Sequence, residues 1–273
     1  MSQFLTRLER VFFYPDQSKE PVNYSELCGW LEQTLKGTAK VELRRDFLNF
    51  YLERIPAEKK IQEKRRLAEA LARIRVRDPF RREFPDQLLP GEVAYEEKNL
   101  ASSPRKIGAI YDADQMMRLF LELIPKPEQG LNFLHLIFTE QMVARFVEGE
   151  RYHLCVGYYG YPSIISTTGL REAPARPREY YLRTKAGEPK ELVQAELGER
   201  ILQKSDPRIN QVIKGYILQA VFFQITGEPF CSEPLCQLYN AHWQEEMLRA
   251  QLNGKLCPTH QVILERYLKK AEI

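Results

Sequence analysis

Apolar positions recur at helical spacing in several stretches of the chain. In AEKKIQEKRRLAEALARIR, Ile61, Leu67, Leu71 and Ile74 fall on one side and charge covers the rest, which predicts an amphipathic helix over residues 57–75. YDADQMMRLFLELIP repeats the pattern with Ala113, Met116, Met117, Phe120 and Leu123. After Asp206 and Pro207, a helix cap followed by a proline at the first helical position, the apolar residues Ile209, Val212, Ile213, Tyr216, Ile217, Ala220, Val221 and Phe223 cover most of the surface. This predicts a central, buried helix that stops at Gly227. SELCGWLEQTL, capped by Ser25, AHWQEEMLRAQL and QVILERYLKKAE complete the helices.

Extended segments read differently. FLTRLERVFFY and the bulky run LNFLHLIFTE predict strands, the second buried on both faces. RYHLCVGYYGYPSIISTTGL suggests two further extended pieces broken by Gly160 and Pro162, and VELRRDFLNFYL fits either type. Residues 78–104 hold four prolines with little periodicity and read as a linker or surface crossing. A second loop region runs from Pro174 through Pro177 to the polar stretch Thr184–Lys190. Strands alternating with helices give an α/β (α+β) fold, expected as an N-terminal α/β lobe over 1–100 and a second domain over 101–273.

Composition narrows the class. With 44% hydrophobic and 28% charged residues among 273, this is the balance of a globular protein. The first residues lack a signal-peptide pattern and no apolar run is long enough to span a bilayer, so the expected location is the cytoplasm. A net charge of +3 implies no general affinity for nucleic acid or membranes. The stretch Lys59–Arg82 concentrates ten Lys or Arg against three acidic residues; a nucleic-acid face and a solvated helix face are the alternatives, and no aromatic interleaving favours the former.

Five cysteines stand at 28, 155, 231, 236 and 257. An odd, clustered set in a cytosolic chain argues for metal rather than disulfides. Cys231 and Cys236, then Cys257 and His260, supply two short-spaced pairs, the pattern by which two loops close a tetrahedral zinc shell. One structural zinc held by Cys231, Cys236, Cys257 and His260 is expected, with no open position for water. Cys28 and Cys155 read as small buried hydrophobes. Of the other histidines, His135 and His153 lie on strand patterns, and His242 is either a support for the zinc loop or a solvated residue.

These residues resemble archaemetzincins, zinc peptidases whose active helix carries HExxHxxGxxHC, followed by a CxM segment, a Glu-Glu pair and a CPxC knuckle. The matching stretch is AVFFQITGEPFC, residues 220–231, followed by Cys236-Gln-Leu238, Glu245-Glu246 and Cys257-Pro-Thr-His260. The resemblance covers about residues 105–265 and implies a metzincin-like mixed sheet with packed helices. Its catalytic residues are replaced: Ala220, Gln224 and Phe230 stand at the histidines, Val221 at the glutamate and Leu238 at the methionine. Neither alanine nor phenylalanine ligates zinc, and valine takes no proton from water. The resemblance therefore implies a catalytically silent zinc protein with a binding or assembly role through the relict cleft, an extended peptide adding to an edge strand at 152–168. The alternatives are a metallopeptidase with a non-standard site built from residues such as His135, His153 or Glu228, and a nucleic-acid-associated factor using residues 59–82. Ala220, Val221, Gln224 and Phe230 are expected to close into an apolar patch.

Overall fold

A computed structural model describes residues 5–17, 21–103, 105 and 107–271. In chain order the elements are β1 (Arg10–Tyr14), α1 (Tyr24–Thr34), β2 (Lys40–Leu43), α2 (Phe47–Glu53), α3 (Lys60–Arg73), α4 (Pro90–Leu100), β3 (Ile110–Asp112) and α5 (Ala113–Leu123). There follow β4 (Phe133–Thr139), β5 (Met142–Phe146), β6 (Tyr152–Cys155), β7 (Gly157–Tyr158), β8 (Ser163–Ser166), α6 (Gly169–Glu172), α7 (Arg178–Lys185) and α8 (Lys190–Leu197). The last three are α9 (Ile209–Thr226), α10 (Gln244–Asn253) and α11 (Pro258–Ala271).

Five strands form the main sheet in the order β2-β1-β4-β8-β7, parallel except for β7, and β3-β5-β6 form a second, mixed sheet. The fold class is the α/β expected. Side chains alternate across the main sheet, so each strand feeds two cores. Val11 and Phe13 of β1, Leu134, Leu136 and Phe138 of β4 and Ile165 of β8 pack with α1, α9, α10 and α11. Phe12, Tyr14, Ile137 and Ile164 face the other way, onto α2, α3 and α5. A sheet covered on both faces explains the unbroken apolar runs of β1 and β4. The sheet runs across the division expected near residue 100, since β1 and β2 precede it and β4, β8 and β7 follow.

Several local expectations change. The cap of α1 is Asn23, whose side chain accepts from the Glu26 N–H, in place of Ser25. The ambiguous VELRRDFLNFYL divides into β2 and α2, with Asp46 capping α2 through the Asn49 N–H. Leu67, Leu71 and Ile74 are buried, but Ile61 is 84% exposed, because it lies on the first, uncovered turn of α3. The expected linker contains α4, packed along α3, and the second loop region contains α7 and α8. Helix α9 is buried as expected and ends at Gly227, whose φ of 83° takes the left-handed stop. Among the described residues no helix is long and apolar enough to cross a membrane.

His135 is a satisfied core histidine. Its Nδ1 pairs with the Tyr14 hydroxyl at 3.0 Å and its Nε2 with the Glu128 carbonyl at 2.8 Å. Burial lowers its pKa to about 4. Between about pH 6.5 and 4 the unfolded chain therefore binds a proton here that the native protein does not, so stability falls as pH falls through that window. Ring NMR shifts should show His135 neutral at pH 5.5 and titrating near 4; a midpoint at an ordinary histidine value would contradict this burial.

Candidate metal centre

The centre lies where three segments meet beyond the end of α9. Gly227 turns the chain out of the helix and Cys231 follows four residues later. The Cys231 N–H donates to the Leu238 carbonyl at 2.9 Å and the Tyr239 N–H to the Cys236 carbonyl at 2.9 Å, folding residues 231–239 into a tight loop. The second half comes from α11. Gly254 ends α10 in the left-handed conformation, and Pro258 opens α11 where its missing N–H costs no helix bond. Cys257 and His260 then share the first turn, with Sγ and Nδ1 at 3.0 Å.

The ligand atoms of Cys231, Cys236, Cys257 and His260 all lie within 4.8 Å of one another. Cys231 Sγ is 3.8 Å from Cys257 Sγ, and Cys236 Sγ is 3.9 Å from His260 Nδ1. A tetrahedral zinc with ordinary bond lengths puts sulfurs about 3.8 Å apart and sulfur about 3.6 Å from nitrogen. Three soft sulfurs and one imidazole are the donor set zinc takes in closed structural sites, so the residues fit that ion. Two backbone amides also point at the sulfurs: Glu233 N–H to Cys231 at 3.3 Å and Cys257 N–H to Cys236 at 3.4 Å.

The electrostatics differ among the four. Burial pushes the Cys231 thiol up to about 12 and raises Cys236. At Cys257 burial is outweighed by the His260 backbone N–H together with Cys231, Cys236 and the Thr259 backbone, and its thiol is lowered, as befits a cysteine at a helix start. Burial lowers His260, which favours the neutral imidazole that a metal requires.

Neighbours that the sequence did not single out hold the loops. Gln251 Nε2 donates to the Gln237 carbonyl at 3.1 Å, Asn253 Nδ2 to the Leu235 carbonyl at 2.8 Å, and the Gln237 N–H to the Lys255 carbonyl at 2.9 Å. Gln251 approaches α9 so closely that a Cβ on Gly215 would meet its Oε1 at 1.5 Å, which accounts for a glycine within that helix. Phe222 of α9 packs edge-on against the His260 ring at 5.4 Å. Side-chain amides and a single glycine carry no spacing signal, and no sequence pattern marks them.

The four motif positions on and after α9 separate. Ala220 and Val221 are fully buried, and Gln224 donates to the Leu131 and Phe133 carbonyls at 2.6 and 3.4 Å. Phe230 is 43% exposed instead of closing with them; beyond the helix stop it leans on Tyr159, ring centroids 5.8 Å apart. Leu238 is fully buried in the core. Glu246 accepts the His242 and Trp243 N–H groups, while the His242 side chain is exposed.

The segment 152–168 is also more varied than an edge strand. β6 and β7 are outer strands of their sheets, but β8 lies between β4 and β7. The Tyr152 N–H donates to the Pro79 carbonyl, so the first residue of β6 is covered. In the basic stretch, Arg65, Arg66, Arg75, Arg77, Arg81 and Arg82 pair with Glu69, Glu63, Glu96, Glu92, Asp78 and the Asp112/Asp114 pair. His153 pairs with Glu150 on the surface and Glu228 is exposed. Among the described residues the cysteine–histidine cluster is the group of His, Cys, Asp and Glu that converges at metal-binding distance.

No curated protein matches this chain. Among solved structures it is similar to archaemetzincin (amzA) from Methanopyrus kandleri, with 12% identity, a TM-score of 0.43, and 96% of this chain and 97% of that one covered. The model of the "Probable metallopeptidase family (DUF6775)" matches residues 7–267. The chain belongs to that family.

Proposed function

We propose that this protein is a catalytically silent member of its family, held by one structural zinc and acting by binding rather than hydrolysis. The observation that carries this reading is the state of α9 at the motif positions. Ala220 and Val221 are sealed in the core, and the Gln224 amide is committed to carbonyls of the segment leading into β4. A general base and three ligands have no replacement there, and the family resemblance assigns catalysis to those positions. With four protein ligands, the zinc of the cysteine–histidine cluster has no site for water and supplies cross-linking alone.

The binding role centres on the outer strand β6, where Leu154 is 37% exposed and His153 and Cys155 lie beyond the residue covered by Pro79. An extended peptide pairing there would add a strand beside Leu154 and read alternate side chains. Carboxylate pairing of six arginines leaves less charge in the 59–82 stretch for phosphates, which disfavours the nucleic-acid alternative.

Elemental analysis of the purified chain should give one zinc per molecule, and mixed peptides with added zinc should remain uncleaved. Two zincs per chain, with zinc-dependent cleavage that disappears in Gln224→Ala, would reinstate a peptidase with a non-standard site.

A further inference from the structure

Two sulfurs of the cysteine–histidine cluster are also placed to bond to each other. Cys231 Sγ and Cys257 Sγ lie 3.8 Å apart, and a disulfide closes at about 2.0 Å, which leaves about 1.8 Å to cover. Both side chains are half-buried, whereas Cys236 is 1% exposed and its sulfur accepts the Cys257 N–H. A small oxidant therefore meets Cys231 and Cys257 before it meets Cys236. Cys28 in α1 and Cys155 at the end of β6 stand outside the cluster.

The two residues belong to opposite halves of the centre. Cys231 opens the 231–239 loop beyond α9, and Cys257 directly precedes α11. A bond between them spans 26 positions and joins the same two segments that the four ligands join. A bond between Cys231 and Cys236 would only close the loop on itself. Once Cys231 and Cys257 are bonded to each other, Cys236 and His260 alone remain as donors, half of what a closed tetrahedral site needs.

We propose that Cys231 and Cys257 form a redox modification site, which hydrogen peroxide converts to a disulfide with loss of the metal while the two segments stay joined. The inference rests on the structural-zinc reading above. As metal ligands both sulfurs are thiolates, the form that reacts. Cys257 attacks one peroxide oxygen, the O–O bond breaks, and the departing hydroxide takes a proton from solvent to leave a sulfenic acid and water. Cys231 then attacks the Cys257 sulfur; the S–S bond forms, the S–O bond breaks, and a second proton carries the hydroxide away as water. Two thiolates, one hydrogen peroxide and two protons thus give one disulfide and two waters, with two electrons passing from sulfur to oxygen. Oxidation differs from chelation in what it leaves behind: a covalent tie in place of the metal one.

The test treats the full chain, its zinc content measured beforehand, with hydrogen peroxide in small excess. A chromogenic chelator should register one zinc released per chain, and peptide mapping without reductant should find the Cys231 and Cys257 peptides joined and lighter by two hydrogens. Limited proteolysis after Gly227 should stay within about twofold of the zinc-loaded chain, because the disulfide holds the loop to α11. Thiol reductant with added zinc should reverse all three changes. The double variant Cys28→Ser with Cys155→Ser leaves the cluster intact and should respond in the same way. A zinc-loaded chain overturns the proposal if it keeps its metal under peroxide, if its disulfide involves Cys236, if its cluster sulfurs pass to sulfinic acid without pairing, or if oxidation removes its resistance to digestion. A chain purified without zinc would instead overturn the structural-zinc reading, and this inference with it.

Discussion

Withdrawing the proposed zinc, by strong chelation or by Cys236→Ser, is expected to unfold the part of the molecule built on α10, α11 and the 231–241 loop. A structural zinc contributes about 10–16 kcal/mol to folding, while a whole domain keeps only about 5–15 kcal/mol net. Position magnifies the loss. Cys236 is 1% exposed and belongs to the same core as Leu238, Met247, Leu264 and Tyr267. Without the ion, three thiols and an imidazole stay crowded within 4.8 Å with no bond to hold two loops together. The measurement is limited proteolysis with circular dichroism before and after chelation, and again after zinc is restored. Cleavage should concentrate after Gly227 and be suppressed on zinc return; an unchanged digestion pattern would show the cluster to be dispensable.

The second large effect is expected at the buried ion pair behind the main sheet. Arg105 donates through both terminal nitrogens to Asp46, and both side chains are 6% exposed. Arg105→Met should cost about 3–5 kcal/mol, since it strands the Asp46 carboxylate in the interior with Glu140 nearby. Asp46 also caps α2, so Asp46→Leu alone should cost a similar amount through the lost cap and the stranded guanidinium. The informative variant is the double change. Urea denaturation should show it markedly more stable than the sum of the single losses, because two apolar groups leave no unpaired charge. Strict additivity would mean that the two groups do not share one interaction.

The contrast between these two sites explains what could be read from the sequence. The cysteine–histidine cluster is legible because its pairs are local: Cys257 and His260 share one helical turn, and Cys231 and Cys236 one short loop. Arg105 and Asp46 are 59 positions apart and carry no periodic mark. The same holds for the elements. Helices α5 and α9 and strand β4 keep a dominant apolar pattern, and each lies where that pattern puts it. Helix α4 carries no such pattern: its proline sits at the first helical position, and Glu96 and Asn99 are polar residues on its buried side. Helix α7 buries only Tyr180, too little for a periodicity. β5 follows β4 after two residues, beyond the run LNFLHLIFTE, and only its first three residues are buried, too few to mark a strand.

The central place of β1 bears on how the chain is made. Arg10 pairs with Lys40 on one side but with Phe133 on the other, 123 positions later. On a ribosome working at about 5–20 residues per second, β1 and β2 wait roughly 6–25 s before the second partner emerges. During that interval the β4-facing edge of Val11–Tyr14, apolar on both faces, is open to any other strand. Nascent chains of this protein should therefore depend on a holding chaperone until about residue 140 has left the exit tunnel, and chains halted before that point should aggregate.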